Sequence, residues 1–150
     1  MAQSPIRVLL VDDSPLMLLI LKRVLATSPE IEVIGTAADG KEALAQIERL
    51  RPAVICTDFQ MPVMDGLELT REVMTRFPCP ILVVSAVVGD EHPERVFALL
   101  EAGAVDVFPK PRGALEPDSP EARELLRKIK VAAGVFVFRR QTSDVRSNPR

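Results

Sequence analysis

The stretch VICTDFQMPVMDG, residues 54–66, runs from a buried-strand pattern through a single acid into a loop of Met, Pro and Gly. A carboxylate at the end of a core strand is costly to desolvate unless something there requires its charge. Asp58 is therefore read as part of a site, and its partners are sought at the ends of the other strands. Those strands are short apolar runs rich in Val and Ile: IRVLLV (6–11), IEVIGTA (31–37), AVICTD (53–58), PILVVSA (80–86) and AVDVF (104–108). Four of the five are nearly continuous in apolar character, as expected of parallel strands covered on both faces. Helical patterns alternate with them. Ser14 and Pro15 open the first as N-cap and first helical residue, and Ala43, Leu44 and Ile47 share one face of the second. Leu67, Val73, Met74 and Phe77 mark the third, Gly103 stops the fourth, and Ser119 and Gly134 bound the fifth. The order βαβαβαβαβα with right-handed crossovers predicts an α/β fold, an open doubly wound parallel sheet of five strands.

Composition narrows the function. The 150 residues suit one domain, read as 1–134, with 135–150 (VFVFRRQTSDVRSNPR) as a linker or tail. A net charge of -2 gives none of the basic excess of a nucleic-acid binder, and Arg139–Arg140 is read as linker charge. The apolar run Pro15–Leu21 is far short of the ~18 residues of a membrane span. Acids at 12 and 13 fall where a signal peptide would be apolar. The expectation is a cytoplasmic protein with no membrane insertion and no nucleic-acid partner. Cys56 and Cys79 lie in or beside strands without ligand spacing and are expected to be buried free thiols. His92 is expected on the solvated surface, and Met17 and Met74 as core fillers.

Ligands of such sheets bind beyond the C-terminal ends of the strands. Asp12 and Asp13 follow the first strand, Asp58 closes the third, Ser85 ends the fourth, and Lys110 follows the fifth through FPKP. Crowded carboxylates repel one another and require a cation. An all-oxygen set with room for water suits Mg²⁺, and the backbone carbonyl of Gln60 is a further candidate ligand. A carboxylate beside that ion can attack a phosphoryl group to give an aspartyl-phosphate. The Lys110 ammonium and the Ser85 hydroxyl are then available to neutralise the phosphoryl oxygens.

The pieces VLLVDDSP, CTDFQMPVMDG, VVSA and EAGAVDVFPKP resemble the receiver domains of two-component response regulators, over residues 6 to about 134. The resemblance implies a flavodoxin-like, CheY-like sheet in the order 2-1-3-4-5. It also implies that Asp58 is the phosphoacceptor, that Asp12, Asp13 and Asp58 hold Mg²⁺, and that Ser85 and Lys110 contact the phosphoryl group supplied by a histidine kinase. It raises the expectation of a cis Lys110–Pro111 bond that aims the lysine. Within the family, VVSAVVGDE, the Pro-containing loop after FPKP and KIKVAAGVFVFRR are similar to the N-terminal receivers of CheB-type chemotaxis protein-glutamate methylesterases. That implies a methylesterase domain in the parent protein and a CheA-type kinase; the alternative is a stand-alone regulator or a receiver of another output class. One departure concerns Val107, which stands where many receivers carry Tyr or Phe. Signalling through backbone and packing shifts is expected there instead of a rotating ring.

Two enzymatic readings fare worse. A haloacid-dehalogenase-type site wants a second Asp two residues after the nucleophile, where this chain has Gln60. A methylesterase needs an activated Ser with a His partner, and no Ser here is flanked as in G-x-S-x-G, so the chain by itself is not expected to be an esterase. In the first helix, Met17, Ile20, Leu21, Val24 and Leu25 should cover the sheet. Leu16, Leu18 and Leu19 should then point elsewhere: either they are partly buried against the last helix, or Leu16 and Leu19 form an apolar patch beside the acids that docks the kinase.

Overall fold

The computed structural model describes residues 4–86, 93–110 and 115–135. His92, Pro111, most of the tail and part of each flanking loop lie outside that set, and with them the readings of His92, of the Lys110–Pro111 bond and of the linker. The elements are β1 (Ile6–Val11), α1 (Pro15–Leu25), β2 (Ile31–Ala37), α2 (Gly40–Leu50), β3 (Val54–Thr57), α3 (Gly66–Arg76), β4 (Ile81–Ser85), α4 (Pro93–Ala102), β5 (Asp106–Pro109) and α5 (Pro120–Ala133). All strand pairings are parallel, in the order β2-β1-β3-β4-β5. The expected fold is the observed one.

Alternation along each strand builds two cores. Val8, Leu10, Val54, Cys56, Leu82, Val84 and Phe108 meet α1 and α5 on one face. Leu9, Val11, Ile55, Ile81 and Val83 meet α2, α3 and α4 on the other. The two cysteines fall on opposite faces, free and buried, and burial pushes both thiols up to about 12. Leu21, Val24 and Leu25 of α1 are buried as expected, with Met17 and Ile20 partly so. Leu18 takes the partly buried place: it packs against the α1–α5 core, because the apolar arc of α1 is wider than a two-per-turn stripe.

Caps set where the helices begin. Ser14 Oγ accepts from the Met17 N–H (3.1 Å) and Ser119 Oγ from the Ala122 N–H (3.1 Å), each followed by Pro in the first turn. Asp39 caps α2, and Asp65 with Glu68 forms a reciprocal capping box on α3. Such caps contribute about 1 kcal/mol each. At the end of α4, Gly103 adopts φ 124 and Ala104 N–H reaches back to Leu99 O (3.0 Å). That turn delays β5 to Asp106, two residues later than the apolar run begins. Gly134 ends α5 at φ -90, without the left-handed geometry its residue type permits.

The loop from β3 to α3 closes tightly on itself. Gly66 N–H donates to Phe59 O at 2.7 Å, and a Cβ at position 66 would lie 2.3 Å from the Asp58 carbonyl oxygen and 3.0 Å from Phe59 Cα. No side chain fits there without displacing the backbone that carries Asp58. Gly66→Ala should therefore destabilise the domain by about 3 kcal/mol or more, read from urea unfolding. An unchanged midpoint would contradict this packing.

Candidate functional site

The acids sit where the ladder runs out. Asp12 N–H donates to Ala37 O (3.0 Å) and Asp58 N–H to Val11 O (2.8 Å), so strand pairing continues one residue past β1 and β3 and fixes both backbones. Asp12 and Asp58 are buried, whereas Asp13 is exposed. Ligand oxygens of Asp12, Asp13 and Asp58 all lie within 4.8 Å of one another. From β5, Lys110 Nζ reaches Asp12 Oδ2 and Asp58 Oδ2, each at 3.0 Å. Its own backbone N–H donates to Ser85 O (3.1 Å), which ties β5 to the end of β4.

Each buried carboxylate uses its other oxygen locally. Asp12 Oδ1 accepts from the Ser14 N–H (2.9 Å) and Asp58 Oδ1 from the Phe59 N–H (2.7 Å). Burial holds the Asp12 carboxyl above its ordinary value, although the Ser14 N–H and the Lys110 ammonium pull it down. For Lys110, burial works to lower the value, but its hydrogen bonds to Asp12 and Asp58 outweigh that and raise it. The lysine is thus firmly cationic at neutral pH. Three carboxylates against one ammonium leave two negative charges in excess, the charge a divalent cation cancels. Asp13 makes no hydrogen bond or ion pair among the described residues, and its carboxylate faces that cluster unspent. Oxygen-only donors of this kind fit Mg²⁺.

The other expected site residues take distinct places. Ser85 is buried at the C-terminal end of β4. Gln60 is exposed in the β3–α3 loop, and its carbonyl accepts no hydrogen bond among the described residues. Val107 lies half-buried in β5, opposite Val83 and packed on the α2–α3–α4 core. Leu16 and Leu19 are 66% and 54% exposed on α1, just beyond the acid pair. The same loop holds a strained residue: Val63 has φ 71 between Pro62 O and Met64 N–H, which hydrogen-bond at 2.7 Å. A β-branched residue in the left-handed region is uncommon and is found where a loop must hold a set shape.

Two residues beside Asp58, and one that meets them from α4, escaped sequence reasoning. Gly66 was visible only as half of an Asp-Gly pair, and its contact with Asp58 O depends on how the chain returns. Phe59 anchors Asp58 through its backbone N–H, a role no residue type reveals. Arg95 of α4 lies with its guanidinium carbon 5.6 Å from the Phe59 ring centroid, a pairing across 36 positions with no periodic signal.

Comparison with known proteins agrees with this geometry. The profile of the response regulator receiver domain matches residues 8–116. A protein-glutamate methylesterase/protein-glutamine glutaminase of Syntrophus aciditrophicus is 42% identical over 144 residues, covering 96% of this chain and 41% of that protein. The chain thus spans about two fifths of the length of that relative. The response regulator domain of Thermotoga maritima CheB superposes with a TM-score of 0.78 at 36% identity, covering 88% of this chain and 98% of that one. A chain of the CheX–CheY–BeF3–Mg²⁺ complex from Borrelia burgdorferi superposes with a TM-score of 0.71 at 29% identity, covering 85% of this chain and 90% of that one. Among the described residues no helix is long and apolar enough to cross a membrane. With five parallel strands in this order and acids, serine and lysine at their C-terminal ends, the chain belongs to the response regulator receiver domain family and is homologous to the N-terminal receiver of CheB.

Proposed function

We propose that Asp58 accepts a phosphoryl group from a histidine kinase of the chemotaxis type, and that the receiver thereby governs a methylesterase domain in a longer protein. The observation that carries this reading is the Lys110 ammonium bridging Asp12 and Asp58 within an acid cluster 4.8 Å across. A salt bridge for stability alone would need one carboxylate, whereas this arrangement keeps two negative charges in excess at a strand end.

The chemistry follows from the residues. An Asp58 carboxylate oxygen attacks phosphorus, the bond from phosphorus to the donor breaks, and the donor leaves as free imidazole, or as acetate when acetyl phosphate serves. Asp12, Asp13, Asp58 and the Gln60 carbonyl would hold Mg²⁺, which supplies charge neutralisation to the phosphoryl oxygens. Lys110 provides the second cation from the β5 side and remains close to the product. The Ser85 hydroxyl, at the buried end of β4, donates to a phosphoryl oxygen. Before attack, the ladder bond to Val11 O and the Phe59 N–H hold Asp58 in position. Leu16 and Leu19, exposed on the first turns of α1 that follow the acid pair, serve as the apolar docking patch of the phosphodonor. At Val107 no ring is present to rotate, so the output travels through backbone and packing shifts.

Acetyl phosphate with Mg²⁺ should add one phosphoryl group by intact mass, and Asp58→Asn should abolish the addition. Equal labelling of that variant would sink the assignment. Mg²⁺ at 100 times its dissociation constant should stabilise the domain by about 2.7 kcal/mol, seen as a rise in Tm, and Asp13→Ala should remove most of that rise; an undiminished rise would remove Asp13 from the ligand set. Leu16→Ser combined with Leu19→Ser should slow transfer from the kinase about tenfold, which is about 1.4 kcal/mol, while acetyl phosphate labelling stays intact. Equal slowing of both reactions would assign the two leucines to folding.

A further inference from the structure

Helix α4 is fastened unevenly. Its buried residues, Leu99 and Ala102, both lie in its second half. Phe97 and Leu100 stand 66% and 43% exposed. Near the N-terminal end, the half-buried Arg95 places its guanidinium over the Phe59 ring, 5.6 Å from the centroid. Among the described residues Arg95 has no carboxylate partner, so the ring is the partner the structure gives it.

Phe59 is itself held at both ends of its backbone. Its N–H donates to Asp58 Oδ1 at 2.7 Å, and its carbonyl accepts from Gly66 N–H at 2.7 Å. Its ring packs at the margin of the α2–α3–α4 core. An unbroken chain of contacts therefore runs from the Asp58 carboxylate through the Phe59 peptide and ring to Arg95 and the first turn of α4.

We propose that Arg95 is a positioning residue that couples the state of Asp58 to the placement of α4 through its cation–π contact with Phe59. The coupling rests on Asp58 being the phosphoacceptor. Phosphorylation joins one Asp58 oxygen to phosphorus and removes the delocalised carboxylate charge. The Phe59 N–H then no longer faces the acceptor it had, since charged acceptors bind more strongly than neutral ones. A shift of that peptide carries the ring, and a guanidinium over a ring face follows the ring or loses the attraction. The first half of α4, with no buried residue, yields before the half anchored by Leu99 and Ala102. Such a route needs no aromatic at Val107. It ends on the helix that bears the exposed Phe97 and Leu100.

The test uses the full chain with Mg²⁺ and beryllium fluoride, reading amide hydrogen exchange across α4, with acetyl phosphate labelling of Asp58 measured in parallel. In the unmodified chain, exchange in the first half of α4 should change about threefold or more on adding beryllium fluoride. Arg95→Ala should remove most of that response while leaving labelling within about twofold and Tm unchanged. Arg95→Lys, which keeps a cation over the ring, should retain part of it. Phe59→Leu should act like Arg95→Ala, and the double variant should add nothing further. A full α4 response in Arg95→Ala, or additive effects of the two substitutions, would overturn the coupling alone. Absence of labelling in the unmodified chain would overturn the phosphoacceptor reading, and the coupling with it.

Discussion

The contact on which the site depends is the Lys110 ammonium placed 3.0 Å from Asp12 Oδ2 and 3.0 Å from Asp58 Oδ2. It joins the ends of three strands, β1, β3 and β5, that are not all neighbours in the sheet. Two carboxylates buried side by side would otherwise drive one another toward protonation. The lysine pulls the Asp12 carboxyl down against the effect of burial, and the two acids in turn hold its proton. Because one ammonium meets three acids, the balance is deliberately incomplete: the site is tolerable without a ligand and improved by a cation. Ordinary ion pairs close their own charge and have no such opening.

Keeping two acids buried requires a backbone that cannot drift. The ladder bonds from Asp12 to Ala37 and from Asp58 to Val11 provide part of that rigidity. The β3–α3 loop provides the rest, through Gly66 pressed against the Asp58 carbonyl and Val63 held in a left-handed turn. Just beyond Val63, the Asp65–Glu68 capping box fixes the start of α3. By contrast, the buried residues of α4, Leu99 and Ala102, both lie in its second half, and Arg95 meets Phe59 from the first.

Much of this was legible in the residues. Apolar runs of strand length, alternating with patterns capped at Ser14 and Ser119, dictated the doubly wound sheet. Once the strands were placed, Asp12, Asp13, Asp58, Ser85 and Lys110 had to gather at one edge. What stayed hidden depends on contacts between segments with no shared period. The periodicity of α1 leaves Leu18 open between solvent and the last helix, and the breadth of the α1–α5 interface decides for packing. Gly66 and Phe59 matter through their backbones, which sequence does not display. Arg95 meets Phe59 from 36 positions away, a contact no local pattern announces.

A crystal structure of the chain with Mg²⁺ and beryllium fluoride tests the central claim most directly, since it locates both charges the acid cluster leaves room for. The account predicts beryllium bonded to an Asp58 oxygen, Mg²⁺ among Asp12, Asp13 and Asp58 with the Gln60 carbonyl, and Lys110 still within hydrogen-bonding distance of the fluoride group. Beryllium fluoride ordered on another side chain, or Mg²⁺ bound away from Asp13, would contradict it.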